Sequence, residues 1–201
     1  SLRMASVLSA YADSIHNTNH NRNPQKTHGP DMNPRSKKHL DCIDSASGKP
    51  IQLTLQNGQF AEIREIDDPH ASCSWPWLAP LLIDLQVNGF AGVDFQQDGL
   101  SRDDLHVAAH GLLMAGCGRF FTTLISDEWP QMLQRLCQLR KQRDGDGVLQ
   151  KAMVGWHIEG PFISSADGFR GAHRSDALCV PAPSHFYQLR EAAGNDPVLL
   201  T

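Results

Sequence analysis

From Leu81 onward the chain alternates short apolar runs with amphipathic helical stretches, and this rhythm restricts the possible folds more than any other feature of the sequence. The first run, Leu81-Leu82-Ile83-Asp84-Leu85, continues into Gln86-Val87-Asn88-Gly89. Ser101, with Asp104 three residues on, is a helix-start signal; Leu105, Ala108, Ala109, Leu112 and Leu113 then recur at helical spacing, and Gly116 and Gly118 are expected to close that helix. A second strand, Arg119 to Ile125, precedes a helix with Trp129, Met132, Leu133, Leu136 and Cys137 along one side. The third strand is Val154-Gly155-Trp156-His157-Ile158-Glu159, ended by Gly160-Pro161. Past a Gly-rich loop, Ser184 is expected to cap a helix carrying Phe186, Leu189 and Ala193, Gly194 to end it, and Pro197 to Thr201 to begin a fourth strand. Strands joined through helices run parallel, with the helices covering the sheet, so the fold class is α/β. A doubly wound sheet and a (β/α)8 TIM-type barrel both satisfy the pattern; in the second case about the first four βα units are present. Half a barrel leaves two sheet edges open, so such a chain is expected to be partnered or to be part of a longer one.

Polar residues gather at the C-terminal ends of these strands, where α/β barrels assemble their sites: Gln86 and Asn88, Thr122 and Thr123, His157 and Glu159. Side chains alternate along a strand, so His157 and Glu159 project to one face while Trp156 and Ile158 project to the other. An ionised Glu among apolar strand residues is costly to bury unless something compensates it. Two readings satisfy that demand. An Arg at the strand end pairs with the carboxylate, or the carboxylate binds a metal ion.

Upstream of the repeating units the composition changes twice. Residues 1–48 contain few large apolar side chains and are rich in Asn, His and Pro; they read as a disordered or misassigned leader, with Met4 standing where a start codon would. Ile51 to Leu55 alternates, Asn57-Gly58 is a hairpin signal, and Phe60 to Ile66 alternates again, so residues 49–78 form a small β element and 79–201 the barrel portion. The net charge of -4 carries no basic stripe, which argues against a nucleic-acid partner. Five scattered cysteines without a C-x-x-C pair read as reduced thiols, mostly core filler, in a cytoplasmic protein. No apolar run approaches the roughly 18 residues that span a bilayer, so no membrane association is expected.

Three landmarks in this order carry a family resemblance: Ile83-Asp84-Leu85-Gln86-Val87-Asn88-Gly89 with Gly92-Val93-Asp94-Phe95, then His157-Ile158-Glu159-Gly160-Pro161-Phe162, then Gly168-Phe169-Arg170-Gly171-Ala172-His173. Together they resemble the N-acetylglucosamine-6-phosphate deacetylases of the amidohydrolase superfamily, over about residues 50–201 and the N-terminal half of such an enzyme. The resemblance implies a metal-dependent (β/α)8 barrel that hydrolyses the N-acetyl group of an amino-sugar phosphate. It implies Glu159 as a ligand of one divalent ion, Zn²⁺ or else Fe, Co or Mn, with the remaining ligands and the general base downstream. Gln86 and Asn88 stand where other superfamily members carry a metal-binding histidine pair; amides are poor ligands, so one metal is expected, and His157 is given a supporting place beside it. Ala172 and His173 are implied to contact substrate, His173 as the catalytic donor to the acetamide carbonyl. A homodimer is expected of the full-length enzyme. The alternatives are an amidohydrolase for another N-acyl sugar or a cyclic amide, and a non-catalytic half-barrel that binds a partner chain.

Overall fold

The computed structural model describes residues 37–57, 59–67, 75–166 and 168–201, and the chain divides into two units, Ser1–Pro80 and Leu81–Thr201. The first unit is a mixed four-stranded sheet built from β1 (Lys37–Asp44), β2 (Pro50–Gln56), β3 (Gln59–Glu65) and β4 (Trp77–Leu78), in the order β3-β2-β1-β4. The expected hairpin is its β2-β3 pair, with Gln56 opposite Gln59. Residues 37–48, assigned by sequence to the leader, are instead strand and turn, because β1 pairs antiparallel with β2 along its length and places Cys42 against Ile51. Residues 1–36 of that leader lie outside the described residues. Cys42, Ile51 and Leu53 form the buried centre of this sheet, with Leu55, Phe60 and Leu78 packed against it. The turn between β1 and β2 is fixed by Asp44, whose carboxylate accepts from Ser47 Oγ at 2.6 Å and from Ser47 N–H at 3.0 Å.

In the second unit, β5 (Leu82–Val87), β8 (Cys117–Ile125), β9 (Met153–Glu159) and β10 (Val198–Leu200) form a parallel sheet in the order β10-β9-β8-β5. Each new strand is added on the same side as the last. A doubly wound sheet reverses its strand order at a switch point, whereas consecutive neighbours are the ordering of a barrel, so the sheet is a parallel half-barrel. A short hairpin, β6 (Gly89–Phe90) with β7 (Val93–Asp94), follows β5. The connections run through α1 (Arg102–Met114), α2 (Trp129–Asp144), α3 (Gly147–Ala152) and α4 (Pro183–Ala193). Helix α1 begins with the full reciprocal cap: Ser101 Oγ accepts from Asp104 N–H, and Asp104 accepts from Ser101 N–H at 2.8 Å.

The register of β8 with β9 separates the two faces of the sheet. Phe121, Thr123 and Ile125 are opposite Gly155, His157 and Glu159 on one face, so the buried Phe120, Leu124, Trp156 and Ile158 occupy the other. Gly155 has no side chain because the Phe121 ring fills the space its Cβ would need. Gly118, expected to help close α1, lies inside β8 for the same kind of reason: Leu81 occupies its Cβ position. The helix ends at Met114, and Gly116 makes the turn with φ +90°. Ser184 sits within the first turn of α4; Ala182 is the capping residue and supplies no side-chain bond. Cys137, expected inside, is exposed, whereas Cys42 and Cys117 are buried and all three are free thiols. Among the described residues no helix is long and apolar enough to cross a membrane.

Candidate functional site

The parallel sheet delivers Gln86 from β5, Thr123 from β8, and His157 and Glu159 from β9 to the C-terminal end of the strands. Gln86 and Glu159 are separated by β8 in the sheet, yet Gln86 Nε2 donates to Glu159 Oε2 at 3.1 Å. The amide thus crosses the mouth of the half-barrel and fixes one carboxylate oxygen. His173, brought by the loop after β9, places Nε2 3.8 Å from the other oxygen, Glu159 Oε1. The imidazole is largely covered, with 14% of its side chain exposed, and its buried Nδ1 meets no hydrogen-bond partner among the described residues.

The backbone under Glu159 is equally specified. Ser126 Oγ donates to the Glu159 carbonyl at 3.3 Å, and Gly160, with φ +82°, lets the chain leave β9 against Ser126, whose hydroxyl stands where a Cβ would be. The Gly160 N–H donates to Thr201 O at 3.0 Å. His157 is buried between two hydroxyls, with Thr123 Oγ1 3.2 Å from Nδ1 and Thr201 Oγ1 3.2 Å from Nε2. Burial pushes its imidazole below the ordinary histidine value, and the neighbouring Glu159 charge opposes that only in part. His157 is therefore a neutral, doubly hydrogen-bonded ring at neutral pH.

Of the remaining residues singled out by sequence, Asp84 accepts the Gln86 N–H at 2.9 Å, which shapes the strand beneath the amide. Asn88 is exposed just past β5 and its backbone carbonyl accepts the Phe95 N–H at 2.9 Å. Among the described residues the contact chain is Gln86, Glu159, His173, and Asn88 stands outside it. Ala172 is exposed beside His173. Sequence reading did not bring in Ser126, Asp127 or Thr201; the only hint was that Ser126 and Asp127 directly follow an apolar strand, the position from which barrel sites are built.

Glu159 is a partly exposed carboxylate held by a neutral amide, and among the described residues no Lys or Arg pairs with it. It is a suitable single ligand for a divalent ion. Among the described residues no group of three or more His, Cys, Asp or Glu converges as a metal site would require, so these side chains supply part of a site.

A parallel half-barrel with a carboxylate, an amide and an imidazole at its strand ends places the chain with the α/β barrels in architecture, and comparison narrows this. No protein-family profile matches the chain. The chain is a partial-length homologue of N-acetylglucosamine-6-phosphate deacetylases: it is 34% identical to the Homo sapiens protein over 118 residues and 32% identical to the Caenorhabditis elegans protein over 147 residues. These alignments take in 57% and 67% of this chain but 27% and 34% of the relatives, so the chain spans about a third of their length. Crystal structures of the deacetylases from Pasteurella multocida and Mycobacterium smegmatis superpose with TM-scores of 0.59 and 0.58 at 19% and 18% identity, covering 79% and 82% of this chain and 42% and 46% of theirs. At that identity the superposition establishes a shared half-barrel fold.

Proposed function

We propose that these residues form the N-terminal half of a deacetylase site that hydrolyses the N-acetyl group of N-acetylglucosamine 6-phosphate, giving glucosamine 6-phosphate and acetate. The observation that carries this reading is the placement of His173 Nε2 3.8 Å from the Glu159 carboxylate at the strand ends. In this role Glu159 is one ligand of a single divalent ion, Zn²⁺ by preference, and Gln86 orients its carboxylate without competing for the metal. The ion, when bound, supplies Lewis acidity and a water acidified toward a pKa of about 7. His173 contributes a hydrogen bond to the acetamide oxygen, where hydrolysis builds negative charge; a single donor of this kind is worth about 10²–10³ in turnover. Ala172 gives that loop a side chain small enough for the sugar to approach. His157, neutral and held by Thr123 and Thr201, keeps the strand end rigid beneath the site.

The test is acetate release from N-acetylglucosamine 6-phosphate by the longest natural polypeptide that carries these residues, together with its metal content. Glu159→Gln should lose both bound metal and activity, and His173→Asn should lose turnover while keeping metal. Stoichiometric metal in the Glu159→Gln protein, or unchanged turnover in His173→Asn, overturns the assignment of that residue.

A further inference from the structure

The loop that carries His173 leaves β9 at Gly160 and reaches α4 at Pro183, and two of its contacts reach Asp127 in the β8-α2 connection and Trp129 at the start of α2. Phe162 lies 5.5 Å, centroid to centroid, from Trp129 in the first turn of α2 and 5.3 Å from His185. Arg170 Nη1 donates to the His173 carbonyl at 2.6 Å, which folds the tip on itself. The third fastening is ionic. Arg174 Nη1 stands 3.5 Å from Asp127 Oδ1, and the other oxygen of Asp127 accepts from Arg135 Nη1 at 3.3 Å. Arg135 is buried and is held independently by Asp98, from which its Nε is 3.1 Å, and by Gln96 Oε1 at 3.5 Å.

A buried guanidinium with several carboxylate and amide partners is a fixed point of the fold, because leaving any of its donors unsatisfied is costly. Asp127 extends that fixed point by one carboxylate to the residue adjoining His173. Arg174 also pairs with Asp176 at 2.6 Å, but Asp176 belongs to the same loop and cannot tie it to the barrel. We propose that Asp127 is a positioning residue: through Arg174 it fastens the His173 loop to the Arg135 anchor and so sets where His173 stands over Glu159. The geometry is independent of the deacetylase reading; its catalytic consequence rests on that reading.

Arg174 has 59% of its side chain exposed, so the pair shifts the loop equilibrium only modestly, by up to about fivefold. The test compares Asp127→Asn, Arg174→Gln and Arg174→Lys. Arg135 keeps Asp98 and Gln96 in the first variant, and the second alters an exposed side chain, so both retain the fold. The primary readout is hydrogen exchange at the Arg170, His173 and Ala177 amides, whose bonds to Ala166, Arg170 and Arg174 define the loop. Exchange should rise about two- to fivefold in Asp127→Asn and Arg174→Gln, return toward the parent rate in Arg174→Lys, and stay unchanged at Trp156 in β9. In the active polypeptide kcat should fall by a comparable factor with KM held. Unchanged loop exchange in both variants overturns the proposal, as does an effect of Asp127→Asn that Arg174→Gln does not share. If the parent protein releases no acetate, the deacetylase reading fails and the exchange rates still decide the strap.

Discussion

Replacing Gly160 by Ala is the most informative test of how the strand end is built. Two independent costs meet there. The backbone has φ +82°, which an L residue adopts at a cost of about 1–2 kcal/mol. The new Cβ would also be driven into Ser126 Oγ, and it would sit 3.2 Å from both Ser126 Cβ and Ile163 Cδ1. Ser126 is buried, so forcing it aside is overpacking, costing about 1–3 kcal/mol. Together the substitution should destabilise the second unit by about 2–5 kcal/mol. Ser126→Ala by itself removes one hydrogen bond to the Glu159 carbonyl, worth about 0.5–1.5 kcal/mol, and in doing so clears the worst of the collision. The double variant should therefore be more stable than the sum of the singles by about 1–3 kcal/mol, while the backbone cost persists. Exchange of the β9 amides reads the opening free energy of this unit without interference from the other sheet. A Gly160→Ala protein within about 0.5 kcal/mol of the parent, or costs that simply add, would refute the packing argument.

Substitutions at Asp146 and Arg143 probe the scaffold. Asp146 caps α3 through bonds from the Val148 and Leu149 N–H groups and lies 3.0 Å from His106 Nε2. Burial raises its carboxyl, but the hydrogen bonds from Leu149, His106 and Val148 outweigh that and hold it below the ordinary aspartate value. With the folded value below the unfolded one, its stabilisation is complete above the ordinary carboxylate range and is lost as pH falls through the folded value; Asp146→Asn should flatten this acid limb in melts across acid pH, and an unaltered limb would refute the assignment. Asp146→Ala should cost about 0.5–2 kcal/mol by chemical denaturation, as for other lost caps. Arg143 is buried, donates to Asp196 at 2.6 Å and to Asp144 at 2.5 Å, and lies 5.0 Å over the Trp156 ring. Arg143→Met should cost about 1–3 kcal/mol, less than the 3–5 of a stripped buried pair, because Asp196 still accepts from Trp156 Nε1 at 2.9 Å. A urea midpoint at or above the parent's would show that the apolar replacement packs as well as the ion pair.

The parts of the fold legible in the sequence are those whose determinants are local. The Ser101–Asp104 cap, the spacing of Leu105, Ala108, Ala109 and Leu112, and the strand ending at Gly160 all follow from short-range sterics and periodicity. Helix α2 was misread on one face because its buried residues include Arg135 and Arg143 rather than Cys137. A guanidinium goes inside only where carboxylates meet it, and Asp98 and Asp196 come from other elements that no local pattern connects to α2. Strand β1 was missed for a related reason. Its residues, beginning Lys37-Lys38-His39, lack the apolar alternation of an independent strand, and the strand exists because β2 offers it a complete hydrogen-bonding edge. At the site, Glu159 and His173 were visible as residue types in a motif, whereas Thr201 and Ser126 became neighbours only through the parallel register.

The character of Glu159 turns on what faces it. A guanidinium would cancel the carboxylate charge outright, and the strand end would then need nothing more. An amide such as Gln86 satisfies lone pairs on one oxygen and fixes the plane of the carboxylate, but it carries no charge. The carboxylate at the mouth of the half-barrel thus has a histidine ring nitrogen 3.8 Å away and, among the described residues, no Lys or Arg paired to it. Of the two readings that the sequence left open, a structural Arg counter-ion is the one these contacts do not support. A carboxylate oriented by a neutral donor and, among the described residues, without a Lys or Arg partner is the condition under which the Glu159→Gln metal measurement discriminates.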